Sequence, residues 1–390
     1  MEFDRIPRIT KYLSVIMFFA WIGRSTVWNF LPVFFENNIS SVFLVGVLTS
    51  IPAIATIILD IPTGNLVQRS GEKLVIFMGF IAAFFPPILF YTGLVPLFFV
   101  GKFLEGVGKA FIWNGGWSLT LKSSDSEIES ETISVFLFGI NLSIIIGPVI
   151  GGLLLAEYGF NLLFGLWAGT WLISILMYYV YIGTERGDES LKESLQDLER
   201  RKTYLDDYKH LKENWINLRQ ILSITFLYSI IFSFYWLAIP LMLEQMNANY
   251  VEMGFIFGIA ALPKVFQVVL GDIADKIGEI KTIRILSILL IPTLFAMSLT
   301  ESLVVTGVLF FTARLFSEGI SPAIHSKFDA AIPDDVEGEM TGFNELAKHS
   351  GQAIGPVFAG TIASIWSLNA SFVAASGIVA VMLVVSLIDF

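Results

Sequence analysis

Asp60-Ile-Pro-Thr-Gly64-Asn-Leu-Val-Gln-Arg69-Ser-Gly71-Glu-Lys73 is a short polar stretch between two long apolar runs. A cousin of it recurs as Gly271-Asp-Ile-Ala-Asp275-Lys276-Ile-Gly278-Glu-Ile-Lys281. Gly64 and Gly271 stand 207 positions apart, slightly more than half of the 390 residues. A tight glycine-bounded turn carrying Lys or Arg between two hydrophobic helices is what a short cytoplasmic membrane loop requires. Glycine lets the backbone turn and the helices approach, while the cations hold the loop on the cytoplasmic side. Two copies at this spacing predict a duplicated membrane protein.

Composition agrees. The chain is 55% hydrophobic and only 15% charged, with a mean hydropathy of +0.73, too apolar for a soluble globular protein of this length. Its 35 Phe suit helix faces that meet lipid. The net charge of −10 is a weak clue, because much of the acid sits in one soluble segment, and nothing reads as a nucleic-acid surface. With no cysteine there is no disulfide and no thiolate metal or redox chemistry, and His210, His325 and His349 lie too far apart in sequence to suggest a metal site. No cofactor is implied. The first apolar run is long enough to span and lacks a signal-peptide cleavage pattern.

A window of about 20 apolar residues, the length that crosses a bilayer core, predicts twelve helices. The first six fall near 13–35, 42–66, 73–92, 95–119, 132–156 and 160–182, and the second six near 219–243, 250–271, 281–299, 302–326, 339–364 and 367–389. The expected organisation is an N-terminal six-helix bundle over 1–182, a charged linker over 183–218 and a C-terminal six-helix bundle over 219–390. In the linker, Leu191, Leu195, Leu198, Leu205, Tyr208 and Leu211 recur at near-helical spacing, which predicts an amphipathic helix.

The basic residues set the orientation. Of 24 Lys and Arg, eighteen lie in the N-terminal tail, in the linker (counting Arg219 at its end) and in alternate loops near 64–73, 119–131, 271–284 and 327–338. The intervening loops contain none, and the other six lie inside predicted helices. This asymmetry predicts a multi-pass protein of the cell membrane with both termini and the linker cytoplasmic.

Further matches support the duplication. Leu31-Pro-Val-Phe-Phe-Glu36 pairs with Ile239-Pro-Leu-Met-Leu-Glu244, and Gly147-Pro148-Val-Ile-Gly151-Gly152 with Gly355-Pro356-Val-Phe-Ala359-Gly360, each at an offset of 208. Lys102-Phe-Leu-Glu105-Gly106 is echoed by Arg314-Leu-Phe-Ser-Glu318-Gly319 with one residue of slippage. An even number of helices per half makes this a parallel repeat, whose physical use is a midplane site between two bundles that rock against each other.

Over essentially its whole length the chain resembles the major facilitator superfamily of secondary transporters. That family's loop signature, G-x-L-A-D-R-x-G-R-K, is met by Gly64, Leu66, Arg69, Gly71 and Lys73, with Gln68 in place of the usual Asp and Glu72 where Arg is frequent. The second copy keeps Asp275, Lys276 and Gly278. Lys102 and Gly106 fit the fourth-helix pattern R-x-x-x-G with Lys for Arg, and Gly147, Pro148, Gly151 and Gly152 fit the antiporter pattern G-x-x-x-G-P-x-x-G-G with Ser143 for its first Gly. The motifs are closest to the proton-coupled antiporter and efflux branch. The resemblance implies a monomer in the lipid bilayer, handling a small-molecule substrate and protons. It also implies that Asp60 joins the loop network that gates the inner side.

Charges inside a membrane are expensive, so each begins as a functional candidate. Lys102, Glu105 and Lys109 share one face of the fourth helix; Arg314, Glu318 and His325 form a stripe on the tenth. Glu345, Lys348 and His349 do so on the eleventh with Asn344 and Gln352, and Arg24 and Lys264 lie within the first and eighth. Two readings stay open for Lys102–Glu105 and Arg314–Glu318: local ion pairs that stabilise packing, or parts of a substrate and proton site. Glu105, Glu345 and His349 are the coupling candidates, because each changes charge on protonation and has a cation or carboxylate nearby.

The leading expectation is a secondary transporter working by alternating access, exporting a small organic compound in exchange for protons. An alternative is proton-coupled uptake of an organic anion, favoured by the surplus of buried cations. A membrane-embedded lipid-modifying enzyme is disfavoured, since neither H-E-x-x-H nor G-x-S-x-G appears, and so is an ATP-driven pump, since there is no phosphate-binding loop. The chain is therefore expected not to be an enzyme.

Overall fold

A computed structural model describes residues 3–185, 203–332 and 337–388. Among them there is no strand, and every one of the twelve predicted segments falls on helix. The helices are α1 (Arg8–Trp28), α2 (Leu31–Ile39), α3 (Val42–Ser70), α4 (Glu72–Tyr91), α5 (Val95–Ser123) and α6 (Glu129–Tyr181). They continue as α7 (Thr203–Gln245), α8 (Tyr250–Ala261), α9 (Gln267–Ile277), α10 (Glu279–Met297), α11 (Leu303–Asp329), α12 (Glu337–Ile365) and α13 (Leu368–Leu387). Among the described residues seven helices are long and apolar enough to cross a membrane, and they number eight when the pair bent by 54°, formed by α8 with its 3-10 extension Leu262–Phe266 and by α9, is counted as one span. The fifth and sixth predicted spans are the two arms of α6, which break at Gly159 (φ 74°), a left-handed position where glycine is unstrained.

The repeat reappears in packing. Within the first half α1 lies along α6, and α4 packs on α5 and α6. In the second half α7 lies along α12, and α10 packs on α11 and α13, the same pairings between corresponding helices. The most apolar window of α7 is 78% buried, against 39% for α3, α11 and α13. Helix α7 is thus enclosed by protein, while the others turn Leu, Ile, Val and Phe outward.

Contacts divide the described residues into two compact units. One contains 3–31, 54–185 and 250–258; the other contains 32–53, 203–249, 259–332 and 337–388. The first unit is thus the predicted N-terminal bundle without 32–53 and with 250–258 added, and the second is the predicted C-terminal bundle without 250–258 and with 32–53 added. Within each unit the added stretch meets its neighbour at glycines. In the first unit Gly152 meets Gly254, where a Cβ on Gly254 would come within 2.6 Å of the Pro148 carbonyl oxygen. In the second Gly46 meets Gly360, where a Cβ on Gly46 would come within 2.5 Å of the Pro356 carbonyl oxygen. Gly46 and Gly254, like Gly152 and Gly360, are 208 positions apart, so these are two copies of one crossing. The Gly-Pro helices are held on their other side by α1 and α7. A Cβ on Gly151 would sit 1.9 Å from the Thr26 carbonyl oxygen, and one on Gly355 would sit 2.2 Å from Ser233 Oγ. Backbones this close gain dispersion contacts along their length, the main attraction available between helices in lipid.

Two expectations need correction. The helix expected to end near 66 runs on: α3 continues to Ser70, Gly64 is helical with open space around it, and the turn is made by Gly71 alone at φ 90°. Likewise Gly271 lies inside α9, and Gly278 turns at φ 98°. The helices run farther than apolarity suggests because polar side chains at a helix end reach water without ending the helix. The predicted amphipathic linker helix falls largely on 186–202, outside the described residues. From Thr203 onward that linker is the continuous start of α7.

Candidate functional site

The first unit holds a buried ionic triad drawn from two helices. Arg24, in α1, donates from Nε and Nη2 to Glu105 Oε1 at 3.0 and 2.6 Å. Lys102, one turn before Glu105 in α5, donates from Nζ to Oε2 at 2.6 Å. Lys102 and Glu105 are only 3% and 6% exposed. The guanidinium also lies over the Trp28 ring, 4.8 Å from its centroid. Both oxygens of the carboxylate are used, and the three groups together carry one surplus positive charge. Spacing alone leaves Lys102–Glu105 as a local pair; the α1–α5 approach adds Arg24. Lys109 lies half-buried, one turn beyond Glu105.

In the second unit Arg314 donates to Glu318, four residues on in α11. Arg314 also lies over Phe232 of α7, 4.6 Å from the ring centroid. Phe232 occupies the repeat position of Arg24, and Trp236 that of Trp28, each 208 positions on. The two halves thus build similar cation–aromatic sites with the guanidinium on different helices. Tyr228 donates to the Ser317 carbonyl at 3.0 Å, and Tyr235 Oη lies 3.5 Å from Ser317 Oγ, tying α7 to α11 beside the acid. Lys264 sits in the 3-10 break between α8 and α9, within electrostatic reach of Glu318, Arg314 and Lys348.

A third cluster lies on α12. Lys348 Nζ is 2.9 and 2.7 Å from the Glu345 oxygens, and His349 Nε2 is 3.8 Å from Oε2. His325 of α11 joins their electrostatic neighbourhood. Asn344 accepts from Thr225 of α7 at 2.9 Å. Among the described residues no group of acids and histidines is arranged to hold a metal ion.

At the glycine-turn end, Glu72 takes Lys122 as its partner and accepts a long bond from Ser118 at 3.4 Å. Lys73 binds Glu185 at 2.6 Å, and the buried Tyr178 hydroxyl donates to the Lys73 carbonyl at 3.0 Å. The Lys73 ammonium holds the Glu185 carboxyl below its ordinary range, through a hydrogen bond and its charge. The Asp60 carbonyl accepts from Asn114 at 3.4 Å, and Arg69 is half-buried on the last turn of α3. In the second copy Asp275 and Lys276 are exposed. At the opposite end of the second unit, Asn37 donates to Glu244 at 3.1 Å.

The sequence reading did not single out Trp28, Phe232, Trp236, Tyr228, Tyr235, Gly46 or Gly254. For Trp28 and Trp236, and for Gly46 and Gly254, the available signal was the shared offset of 208.

The architecture is that of an all-α, multi-pass membrane transporter built from two repeated halves with ionic clusters in its helices. A sequence profile described as Major Facilitator Superfamily matches residues 221–389, the whole second half. Over those residues the chain is similar to the major facilitator superfamily. It is 25% identical over 358 residues to Multidrug resistance protein 1 of Bacillus subtilis, covering 89% of this chain and 87% of that protein. It is 20% identical over 374 residues to Multidrug resistance protein MdtG of a Rahnella species, covering 91% and 89%. A peptide transporter POT solved in complex with sulfate shares its fold at a TM-score of 0.79 and 13% identity, covering 99% of this chain and 95% of that one. The human organic anion transporter MFSD10 does so at 0.68 and 14%, covering 97% and 99%.

Proposed function

We propose that this transporter exports small organic compounds in exchange for protons, as a monomer in the plasma membrane with both termini cytoplasmic. The observation that carries the coupling is Glu105, a buried carboxylate shared by Arg24 and Lys102 from two helices. Protonating it removes the charge that holds both cations, and the released guanidinium and ammonium then attract a different partner or water. A substrate that competes for the same cations is thereby linked to the proton. Export is supported by relatives named as multidrug resistance proteins along most of their length. It is also supported by the Gly-Pro arm of α6, whose motif resembles that of antiporters. The charge asymmetry of the loops supports the orientation, and the predicted division into bundles 1–182 and 219–390 supplies the parts that rock.

The test is efflux from proteoliposomes under an imposed pH gradient, with ethidium and 1-naphthoate as probes. Gradient-driven movement of either probe is expected, and Glu105→Gln removes the dependence on the gradient while leaving exchange of probe across the membrane at equal pH. Equal gradient dependence in Glu105→Gln and the parent refutes the role of Glu105. A second reading, uptake of an organic anion together with protons, is favoured by the surplus cation of the Arg24–Lys102–Glu105 triad and by Lys264 in the second unit; it predicts that the probe moves with the proton rather than against it.

A further inference from the structure

Lys264 stands apart from the other intramembrane cations. Arg24, Lys102, Arg314 and Lys348 each hold a carboxylate within ion-pair distance. Lys264 has neither a hydrogen bond nor an ion pair among the described residues; its interactions with Glu318, Arg314 and Lys348 are longer-range. Glu318 is already engaged by Arg314, so the attraction it offers Lys264 is shared, and Arg314 and Lys348 repel. An ammonium left in this state inside a membrane protein is costly. Its backbone is also unusual. Lys264 lies in the 3-10 segment after Pro263, where the span bends, while the corresponding stretch of α3 in the first half runs straight through as α-helix. Broken helices in transporters expose polar groups to a water-filled site rather than to lipid.

The 3-10 segment that carries Lys264 packs on α11, whose Arg314 lies over an aromatic stripe of α7. Tyr228, Phe232 and Trp236 recur every four residues along α7. They are half-buried positions on a helix that is otherwise enclosed. Their rings follow one another, with centroids 6.0 Å apart for Tyr228–Phe232 and 5.5 Å for Phe232–Trp236. Arg314 connects the two features, since it stacks on Phe232 and lies within electrostatic reach of Lys264. With Lys264, Arg314, Lys348, Glu318 and Glu345 ionised, the neighbourhood carries one surplus positive charge beside an apolar, π-rich surface.

We propose that Lys264 is the anion-binding residue of a site for amphipathic aromatic carboxylates, with the Tyr228–Phe232–Trp236 stripe receiving the ring. This assignment rests on the transport reading above and narrows its substrate class. A carboxylate supplies the hydrogen-bond acceptor that Lys264 lacks, and a flat hydrophobic body gains stacking and burial on the stripe. A lipophilic cation meets repulsion at the same place.

The experiment is isothermal titration of the detergent-purified full chain with 1-naphthoate, its neutral isostere 1-naphthamide, cyclohexanecarboxylate and tetraphenylphosphonium. Naphthoate is expected to bind at least about tenfold tighter than naphthamide. Lys264→Gln removes that preference, Lys264→Arg retains it, and Phe232→Leu or Trp236→Leu weakens naphthoate more than cyclohexanecarboxylate. The ligand-free melting temperature checks folding; where Lys264→Gln is unfolded, the naphthoate-to-naphthamide ratio in the parent and in Lys264→Arg decides. Naphthoate binding no tighter than naphthamide in the parent, or undiminished in Lys264→Gln, overturns the assignment. The proteoliposome assay keeps the two readings separate. Lys264-dependent naphthoate binding without gradient-driven flux sustains the site and removes proton-coupled export. Gradient-driven flux of tetraphenylphosphonium without naphthoate binding sustains export and removes the site.

Discussion

Replacing Gly46 or Gly254 by alanine tests the paired glycine crossings most directly. An ordinary van der Waals contact for a Cβ begins near 3.4 Å, and the new methyl groups would stand 2.5 and 2.6 Å from the carbonyl oxygens of Pro356 and Pro148. Each crossing must therefore open by about 0.8–0.9 Å, and because the obstacle is backbone, no side chain can rotate away. Overpacking of this kind costs about 1–3 kcal/mol. Alanine also favours helix over glycine by about 1 kcal/mol. That gain is the same whether or not the crossing is closed, so it changes overall stability and leaves the conformational balance to the clash. The population of the closed crossing should fall by about 5- to 150-fold. The chain has no cysteine, so spin labels can be attached to cysteines introduced at the exposed positions Asn38 and Trp366 without removing any other thiol. Pulsed EPR on that pair should show a distance distribution that broadens to longer separations in Gly46→Ala. Gly377→Ala, in open space on α13, supplies the control for helix propensity and should leave the distribution unchanged. The two crossing variants should affect transport to a similar degree, because they are repeat copies. A distribution and a transport rate for Gly46→Ala equal to those of Gly377→Ala would refute the reasoning.

Other expectations follow from single contacts. Lys102→Met strips one of two partners from buried Glu105 and should destabilise by about 1–3 kcal/mol, less than the 3–5 typical of an orphaned buried charge, because Arg24 remains; thermal unfolding of this variant beside Arg24→Met and the double variant measures the sharing. Tyr178→Phe loses the hydroxyl bond to the Lys73 carbonyl and should cost about 1 kcal/mol with the aromatic packing intact, read as a lowered melting temperature. Gly71→Ala and Gly278→Ala force a side chain to φ 90° and 98° and should each cost about 1–2 kcal/mol, although nothing crowds Gly278 in space. The Lys73–Glu185 pair depresses the Glu185 carboxyl, so its contribution is present above the usual carboxylate range and lost as pH falls through the folded-state value. Glu185 is fully exposed, so Glu185→Gln should leave a melting curve that overlays the parent at high salt.

Spans, repeat and membrane class were legible because each is written in local statistics: apolar runs of bilayer length, glycine turns, and matched motifs at a constant offset. Partnership across helices was not. Glu105 was expected to work with neighbours on its own helix, and its second partner comes from α1, because which face of one helix meets another depends on rotation and crossing angle rather than spacing. The loop ends were misjudged for a related reason: polar composition after Leu66 marks where helix leaves the apolar core, and α3 runs on to Ser70. Lys264 was singled out as a charge within the eighth helix, but the break around it was not anticipated, although Pro263 marked it. The crossing glycines Gly46 and Gly254 look like ordinary small residues until their backbone neighbours are known.

The joint at Gly159 bears on how this chain enters a bilayer. A single left-handed residue joins the two arms of α6, so there is almost no hydrophilic segment between them to carry across. Two apolar helices with so short a turn suit insertion as a prefolded hairpin, each arm shielding the other's polar backbone and neither needing its own orientation signal. Orientation of that hairpin is then dictated by the cations that flank it, Lys122 at the end of α5 on one side and those of the linker, from Arg186 onward, on the other. Lengthening the turn at Gly159 with charged residues would turn one insertion event into two, and its first consequence should appear in biogenesis, as inverted or stalled topology, before any change in the finished transporter.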